Sequence, residues 1–435
     1  MKKIAAALLL IILAAPLQAS AITRPVFSSL NNTPSTAGVR WTGYDTGNLS
    51  FTANPTNEKR IPVSIPGVVS DLYVQLSVDP GGTASWEIML FKNNVATALT
   101  CTISAGATTC NDTDAGHAVT VAAGDDLSWR TTPTNTPASS VINISSKFAS
   151  TNSGETAISG GGSVANTCLT DTYYAPMGSA ASTTDAGVRS IAPTNFTLDH
   201  FYYRVSQAPG AGDTAKLTVY KNGVATAITA TISDTAVNNS DLSNSISLAP
   251  GDYLSVRCEG TGSPTSMRHA WGFRVTPTID GETPIFAAGS VVFSLVTRTS
   301  TISGGLTNGQ TESNLQGTAP IAFDLKKFYA EIFPAQPANK NWTFNSRKNS
   351  ADGTLSATII AGDIGANDVT NTDSYAVGDK INWESNPTTG GTNTTYASLS
   401  AVLYVAPPVT PSSSLPYRVY NLGQMLLNNG TLIFR

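Results

Sequence analysis

The residues best suited to acid–base or metal chemistry in this 435-residue chain are three histidines and a recurring set of aspartates. The histidines are His117, His200 and His269, and no pair of them has the His-x-x-x-His spacing of a metalloprotease. His269 alternates with Trp271 and Phe273, which indicates a histidine packed in or beside a core. The sequence shows no nucleophile elbow between a strand and a helix, and no glycine-rich phosphate loop. We therefore expect no catalytic centre and predict that the chain is not an enzyme.

Carboxylates recur in two sets. In the first, an aspartate follows a glycine three times, as Asp125, Asp252 and Asp379. A sugar-cleaving enzyme would need two such carboxylates facing each other, but Gly-Asp also starts turns in which the side chain accepts nearby backbone N–H groups. The second set could offer oxygen ligands to Ca²⁺ and comprises Asp112, Asp114, Asp234, Asp241, Asp363, Asp368 and Asp373. None of these has the ordered ligand spacing of a calcium loop. We expect no cofactor, with Ca²⁺ as the alternative.

The four cysteines predict two disulfides. Cys101 and Cys110 are nine positions apart around a turn-like stretch, which suits a bridge across one hairpin. Cys168 and Cys258 remain as the second pair. A thiolate metal site would need clustered ligands, for instance two close cysteine pairs or cysteine with histidine, and we expect neither in this chain.

The N-terminus indicates export. Lys2 and Lys3 precede an apolar run from Ile4 to Ala15, and the small residues Ala19-Ser20-Ala21 follow. These are the parts of a secretory signal peptide, so we predict cleavage after residue 21 and a secreted protein, extracellular or at the cell surface. The run is too short to span a bilayer and no second apolar stretch follows, so we predict no transmembrane segment in the mature chain.

Composition restricts the classes of partner and of fold. Charged residues make up only 12% of the chain and the net charge is −4, which gives no electrostatic footprint for nucleic acid. Residues that favour long amphipathic helices are scarce. At 41% hydrophobic residues the chain can still bury cores, so disorder is excluded.

One strand pattern occurs twice almost unchanged and a third time in weaker form. Val95–Ser104 reads VATALTCTIS, and Val224–Ser233 reads VATAITATIS. Read with period two, Val95, Thr97, Leu99, Cys101 and Ile103 face one way, and so do Val224, Thr226, Ile228, Ala230 and Ile232 in the second copy. Leu355, Ala357 and Ile359 repeat the pattern. Such alternation is typical of a half-buried strand.

The flanking sequence extends each copy to a unit of about 128 residues. A Lys-Asn turn precedes each copy, at 92–93, 221–222 and 348–349, and a Gly-Asp turn follows it. We predict three domains, at 22–150, 151–277 and 278–407, each with many short strands separated by turn residues. The predicted fold is all-β, with three tandem antiparallel β-sandwiches of jelly-roll type.

The order of these motifs resembles a known module. An aromatic strand, an Ala-Pro-Gly turn, a Lys-Asn-Gly-Val-Ala-Thr-Ala turn and a Gly-Asp-x-Leu-Ser strand occur together from Leu198 to Val275. This order resembles a jelly-roll module of phage structural proteins and environmental bacterial surface proteins, similar in shape to C1q and tumour-necrosis-factor domains. The third copy departs from it, with Pro337-Ala338-Asn339 in the first turn. The resemblance implies structure, display and binding, and it transfers no active site.

A separate segment, 408–435, follows the third copy. The stretch Pro407–Pro416 is typical of an extended linker, and an Asn-Gly turn then joins two apolar runs into a predicted hairpin. Its apolar residues, which we propose for assembly, are Met425, Leu426, Leu427, Leu432, Ile433 and Phe434. Such a hairpin is marginal alone. It would dock on its own third domain, or add to a neighbouring copy and build a polymer.

Three functions remain open from the sequence. The first is a secreted structural or surface protein that assembles with copies of itself as a filament, coat or surface layer. The second is an adhesin or glycan-binding protein, with Trp41, Tyr44, Tyr173, Tyr174 and Trp271 as aromatic candidates for surface sugars. The third is a hydrolase or lyase of extracellular polysaccharide. The three domains could form a cluster or an extended string.

Overall fold

The computed structural model describes residues 20–408, except for 30, 48–50, 54–58, 163–164, 179, 290–296, 307, 310, 336, 338 and 388–395, and it describes 426–428 and 431–433. The predicted signal peptide therefore lies almost wholly outside the described residues. The described chain is all-β, as predicted, with single 3₁₀ turns at Ala115–His117, Asp185–Gly187 and Glu312–Asn314. In this part of the chain, no helix has the length and apolar character needed to cross a membrane.

The first ten strands form two facing sheets, which we call repeat 1. One sheet has the order β1-β10-β4-β7, with β8 also on β4, and the other has the order β2-β9-β5-β6, with β3 also on β9. This order fits a jelly roll. The strands are β1 (Ala21–Ser29), β2 (Arg40–Gly43), β3 (Ile61–Pro62), β4 (Gly67–Leu76), β5 (Ser85–Lys92), β6 (Val95–Ser104), β7 (Thr109–Asp112), β8 (Val119–Val121), β9 (Asp126–Thr134) and β10 (Ile142–Ser153).

The next ten strands, which we call repeat 2, have the same arrangement. Their sheets run β11-β20-β15-β18 and β13-β12-β19-β16-β17, with β14 also on β19. The strands are β11 (Thr156–Gly161), β12 (Thr172–Tyr174), β13 (Ala181–Ser182), β14 (Ser190–Ile191), β15 (Phe196–Val205), β16 (Gly210–Lys221), β17 (Val224–Asp234), β18 (Asn238–Leu248), β19 (Tyr253–Thr261) and β20 (His269–Pro277).

Repeat 3 follows the same plan with eleven strands. Its sheets run β23-β21-β31-β26-β29 and β24-β22-β30-β27-β28, with β25 also on β30. The strands are β21 (Glu282–Gly289), β22 (Arg298–Ser300), β23 (Gly304–Gly305), β24 (Asn308–Gly309), β25 (Gly317–Thr318), β26 (Phe323–Phe333), β27 (Trp342–Lys348), β28 (Ala351–Ile359), β29 (Gly365–Tyr375), β30 (Lys380–Pro387) and β31 (Tyr396–Tyr404). The predicted divisions at 150, 277 and 407 stay predictions.

The hairpin in the tail joins β32 (Leu426–Asn428) to β33 (Thr431–Ile433). Leu426 pairs with Ile433, and Leu427 pairs with Leu432. Met425 and Phe434 lie outside the described residues, and the contacts that would decide between the two docking modes of the tail lie outside them as well.

The signature strands bury the side chains that their alternation predicts, with one exception. Each repeat has its own apolar core, and the inner residues of these strands are buried in it, namely Leu99, Cys101, Ile103, Ile228, Ala230, Ile232, Leu355, Ala357 and Ile359. The exception is Val95 and Val224, which alternation assigns to the same face as these buried residues but which are each 67% exposed. Each is the first residue of its strand and pairs with Lys92 or Lys221 directly beside the exposed turn, so the core does not reach it.

The corresponding strands β4, β15 and β26 of the three repeats also share an irregularity. Asp71, His200 and Lys327 each precede an aromatic or leucine core residue and have φ values of 52°, 47° and 54°. Register shifts occur beside all three. A positive φ is unfavourable for such residues, so its recurrence shows that the three repeats share one backbone design.

The three repeats close into a ring. β3 of repeat 1 contacts β11, β15 and β20 of repeat 2, and β14 of repeat 2 contacts β21, β26 and β31 of repeat 3. β25 of repeat 3 contacts β4 and β10 of repeat 1, which completes the circle. One kind of head-to-tail contact is thus used three times with closure, so the domains form a cluster and not an extended string.

Three glycines meet at the centre of this ring. A Cβ added to Gly304 would lie 2.4 Å from the carbonyl oxygen of Thr46, and one added to Gly47 would lie 2.2 Å from that of Ser303. A Cβ on Gly178 would lie 2.1 Å from the backbone of Gly304. Larger residues would therefore push the three repeats apart at this point.

Candidate functional site

The Gly-Asp carboxylates hold turns in all three repeats. Asp252 accepts hydrogen bonds from the backbone N–H of Ala249 at 2.8 Å and from the Asn222 amide at 2.8 Å, and Lys221 Nζ lies 2.9 Å away. We call this arrangement the turn lock. The same contacts join Asp125 to Ala122, Asn93 and Lys92, and Asp379 to Ala376, Asn349 and Lys348. These are the turn contacts that the Gly-Asp pattern predicts.

The asparagine of the turn lock bridges two turns. Asn222 donates to Asp252, and its side-chain oxygen accepts the N–H of Tyr253 at 2.8 Å.

Burial acts to raise the pKa of each of the three turn-lock aspartates, but the hydrogen bonds and the nearby lysine outweigh it and lower the pKa. The carboxylates are therefore charged and fully engaged at neutral pH.

Three aspartates of the second acidic set cover a strand edge. Asp112, Asp241 and Asp368 accept N–H groups at 3.0, 3.0 and 3.1 Å from the edge strands β6, β17 and β28. An unpaired edge N–H is a site for unwanted strand pairing, so these carboxylates protect the sandwich from edge-to-edge association. Burial opposes ionisation of Asp368, but its hydrogen bonds lower its pKa to about 2.

The other acids of this set do not converge on one site. Asp114 caps a 3₁₀ turn, Asp234 accepts the N–H of Gly212, Asp363 is exposed, and Asp373 accepts the N–H of Thr354. Within the described ranges, the one group of three close metal-ligand types is Cys168, Cys258 and His269. The two sulfurs of that group are joined to each other.

Both predicted disulfides are present. Cys101 pairs with Cys110, and Cys168 pairs with Cys258, with Cα–Cα distances of 6.0 and 5.3 Å. Beside the second bridge, the Nε2 of buried His269 lies 3.3 Å from the Cys168 sulfur, and its Nδ1 lies 2.7 Å from the Tyr203 hydroxyl. Burial lowers the pKa of His269 to about 4. It is a neutral core histidine at physiological pH.

The other two histidines lie apart from it. His117 Nδ1 is 2.9 Å from Asp112, and His200 Nδ1 is 3.2 Å from Asp199. His117 lies in the 3₁₀ turn Ala115–His117 and His200 lies in β15, so the structure does not bring the three histidines together.

Four of the five aromatic candidates for sugar stacking are core residues. Trp41, Tyr44, Tyr174 and Trp271 are buried, and only Tyr173 is half-buried, packed edge-on against Tyr220. Of the two roles that the sequence leaves open for these aromatics, the four buried residues have the core role, because packing inside the sandwiches removes their rings from solvent.

Two clefts between repeats were missed by sequence reasoning. The first, which we call the charged cleft, has a volume of about 290 Å³ and lies between repeats 1 and 2. Arg60 holds Asp126 with two hydrogen bonds of 2.6 and 2.7 Å, and Arg204 Nη1 lies 3.4 Å from the same carboxylate. The lining is Pro62, Gly124, Asp126, Tyr202, Tyr203, Arg204, Asn238, Asn239 and Ser240.

The second cleft, which we call the apolar cleft, has a volume of about 300 Å³ and lies between repeats 2 and 3. Its polar wall is held by Lys327, whose Nζ donates to Glu282 at 2.7 Å and to Thr194 at 3.1 Å. Its lining is Pro193, Thr194, Asn195, Pro250, Thr278, Ile279, Lys327, Tyr329 and Val369.

A tyrosine at one repeat position lines both clefts. Tyr202 and Tyr329 each stand two positions after the positive-φ residue of their strand, and Tyr73 has the same position in repeat 1. Each is polar at a position that alternation assigns to the outer face, which is the one sequence signal that could have suggested a contact surface. The clefts themselves form between segments that are distant in the sequence, such as Pro62 and Tyr202 or Pro193 and Tyr329, so no local pattern reveals them.

Comparisons with known proteins do not identify the chain. No family model and no curated protein matches it. Among solved structures, one titled "Structure of infectious bursal disease virus Gx strain" is 11% identical, with a TM-score of 0.18, and covers 90% of this chain and 82% of its own. The Sulfolobus turreted icosahedral virus structure is 11% identical, with a TM-score of 0.16, and covers 88% and 90%. At these TM-scores the two likenesses carry no argument.

Proposed function

We propose that this chain is a secreted, non-enzymatic structural protein that assembles with copies of itself outside the cell. The observation that carries the proposal is the use made of its recurring polar groups. The aspartates of the three turn locks and the three edge-covering aspartates form their hydrogen bonds with backbone and side-chain partners within their own repeat. The polar residues that recur in all three repeats therefore stabilise the fold, which is what a structural protein requires.

The location outside the cell rests on two features. The first twenty-one residues have the pattern of a secretory signal peptide, and disulfides such as the two in this chain persist in oxidising compartments.

The edge-covering aspartates also bear on how copies would meet. Because they protect the open strands, contacts between copies would use side-chain surfaces in preference to accidental sheet extension.

The test is the size of the mature chain, residues 22–435, over a concentration series. Sedimentation velocity and negative-stain electron microscopy should show ordered particles or filaments that grow with concentration. A Gly304→Trp variant, which would open the ring at its centre, is the matched control and should not form the same particles. A mature chain that stays a dispersed monomer at every concentration would contradict the proposal.

A second candidate is glycan binding, and the charged cleft favours it. A tyrosine ring, exposed asparagine amides and a serine line one polar cavity beside a fixed carboxylate and two guanidinium groups. Sugars are bound by such combinations of a ring face with amide and carboxylate hydrogen bonds. Binding to a panel of immobilised oligosaccharides that is lost in Tyr202→Ala and kept in Tyr329→Ala would support this function. No binding by the wild-type chain would remove it.

A further inference from the structure

We propose that the apolar cleft is the binding site of the C-terminal hairpin of the same molecule. Ile279 and Val369 line this cleft and are 48% and 51% exposed, beside the rings of Pro193 and Pro250. Two large aliphatic side chains half open to water next to two prolines form an apolar surface that lacks a cover among the described residues. The charged cleft has ion pairs and amides in the corresponding place.

The chain leaves repeat 3 at the rim of this cleft. Val405 donates its N–H to the carbonyl oxygen of Gly281 at 3.1 Å. A Cβ added to Gly281 would lie 3.2 Å from Cδ of Pro407. Pro407 therefore lies beside Gly281, two residues from Ile279, and the C-terminal segment begins where the uncovered surface begins.

The hairpin has the composition that this surface requires. Its paired positions are apolar on both strands, Leu426 with Ile433 and Leu427 with Leu432. Met425 and Phe434 extend the apolar run at either end. A two-stranded hairpin is at best marginally stable alone in water, so this one needs an apolar partner to persist.

The linker favours the hairpin of the same molecule over that of a second copy. Residues 408–425 separate Pro407 from β32, and eighteen residues reach at most about 60 Å when fully extended. That length spans the cleft from its own rim. A tether of this kind gives an effective concentration on the order of millimolar, well above ordinary protein concentrations.

Cysteine cross-linking tests the contact directly. Val369→Cys combined with Ile433→Cys should form an intramolecular disulfide at micromolar protein, at a rate independent of concentration. The matched control replaces Leu242, which stands at the same position of repeat 2 and is 51% exposed, so that Leu242→Cys is combined with Ile433→Cys. We expect the Val369 pair to form at least ten times faster. Equal rates for the two pairs, or a bond that forms between molecules, would overturn the proposal.

Hydrogen exchange on unsubstituted protein keeps the test independent of variant folding. Segments 277–281 and 367–371 should exchange at least several-fold more slowly in residues 22–435 than in residues 22–407, while segment 240–244 is unchanged. Identical exchange in the two proteins would overturn the inference. Both measurements use dilute protein, so their result does not depend on whether the chain assembles. The docking of the hairpin can therefore be supported or contradicted independently of the proposed function.

Discussion

The exposed turns and the surfaces between repeats follow opposite rules. At the turns, lysine, asparagine and aspartate recur unchanged in all three repeats with nearly the same distances. At the ring contacts, three corresponding positions carry different chemistry each time. In the order of the contacts 1–2, 2–3 and 3–1, they are Arg60, Arg189 and Gln316 before the short strand, Asp126, Tyr253 and Lys380 after the turn lock, and Arg204, Glu331 and Gln75 on the facing strand of the next repeat. The turns give each repeat the same shape, and the contacts make the repeats different from one another.

Each contact uses its three positions in its own way. Between repeats 1 and 2, Asp126 lies between Arg60 and Arg204. Between repeats 2 and 3, the guanidinium of Arg189 lies 3.8 Å from the centre of the Tyr253 ring and donates to Glu331 at 2.5 Å.

The contact between repeats 3 and 1 lacks this pairing of opposite charges. There, Lys380 donates to Thr318 at 2.6 Å, and burial lowers the pKa of that lysine. The covalent links between consecutive repeats set their order, and the different chemistry disfavours contact between surfaces that do not correspond.

The largest expected effect comes from breaking the contact between repeats 2 and 3. Burial raises the pKa of Glu331, and Arg189 opposes this and keeps the pair bonded. Glu331→Ala should cost about 3 kcal/mol of unfolding free energy, because it leaves a mostly buried guanidinium without its carboxylate. Denaturant unfolding measures it. Arg204→Ala, at the same position of repeat 2, should cost less, since Arg60 still holds Asp126. Equal losses in the two variants would contradict the difference between the contacts.

The next effect concerns a core position that differs among the repeats. His269 stands where repeat 1 has Ile142 and repeat 3 has Ala397. Its folded pKa of about 4 lies below the ordinary value near 6.5, so the unfolded chain binds the proton more readily and stability falls as pH drops from about 6.5 to about 4. Between pH 7 and pH 5 the loss should be about 2 kcal/mol. His269→Phe should remove this dependence, and an unchanged dependence in that variant would assign it to other groups.

The smallest effect should be the same in all three repeats. Asp125→Ala, Asp252→Ala and Asp379→Ala each remove the carboxylate from a turn lock and should each cost about 1–2 kcal/mol. Thermal or denaturant unfolding of the three single variants provides the measurement. Closely similar losses would confirm that the turns are equivalent, whereas a large loss in one variant alone would show that its aspartate has a further role.

Much of the fold could be predicted from the sequence because its determinants are local. The alternation of Leu99, Cys101 and Ile103, the Asn-Gly turn and the spacing of Cys101 and Cys110 act over a few residues, and the structure matches them. The exposure of Val95 could not be predicted, since alternation gives the face of a residue but not how far along the strand the core extends.

The clefts and the ring could not be read from the sequence, because both depend on how distant segments meet. Gly47, Gly178 and Gly304 look like ordinary turn glycines until their close approach is seen. The sequence left the core or surface position of Trp41, Tyr44, Tyr174 and Trp271 undecided for a related reason. Alternation identifies a strand's two faces, but it does not tell which face a second sheet or a second repeat will cover.

The closed ring is the central claim, and small-angle X-ray scattering of the mature chain, diluted until it is monomeric, tests it most directly. A compact chain of this length should have a radius of gyration of about 22 Å. Three separate domains of about 14 Å radius each, arranged in line, would give more than about 30 Å. A value near the first figure is predicted, and a value near the second would contradict contact between repeats 3 and 1.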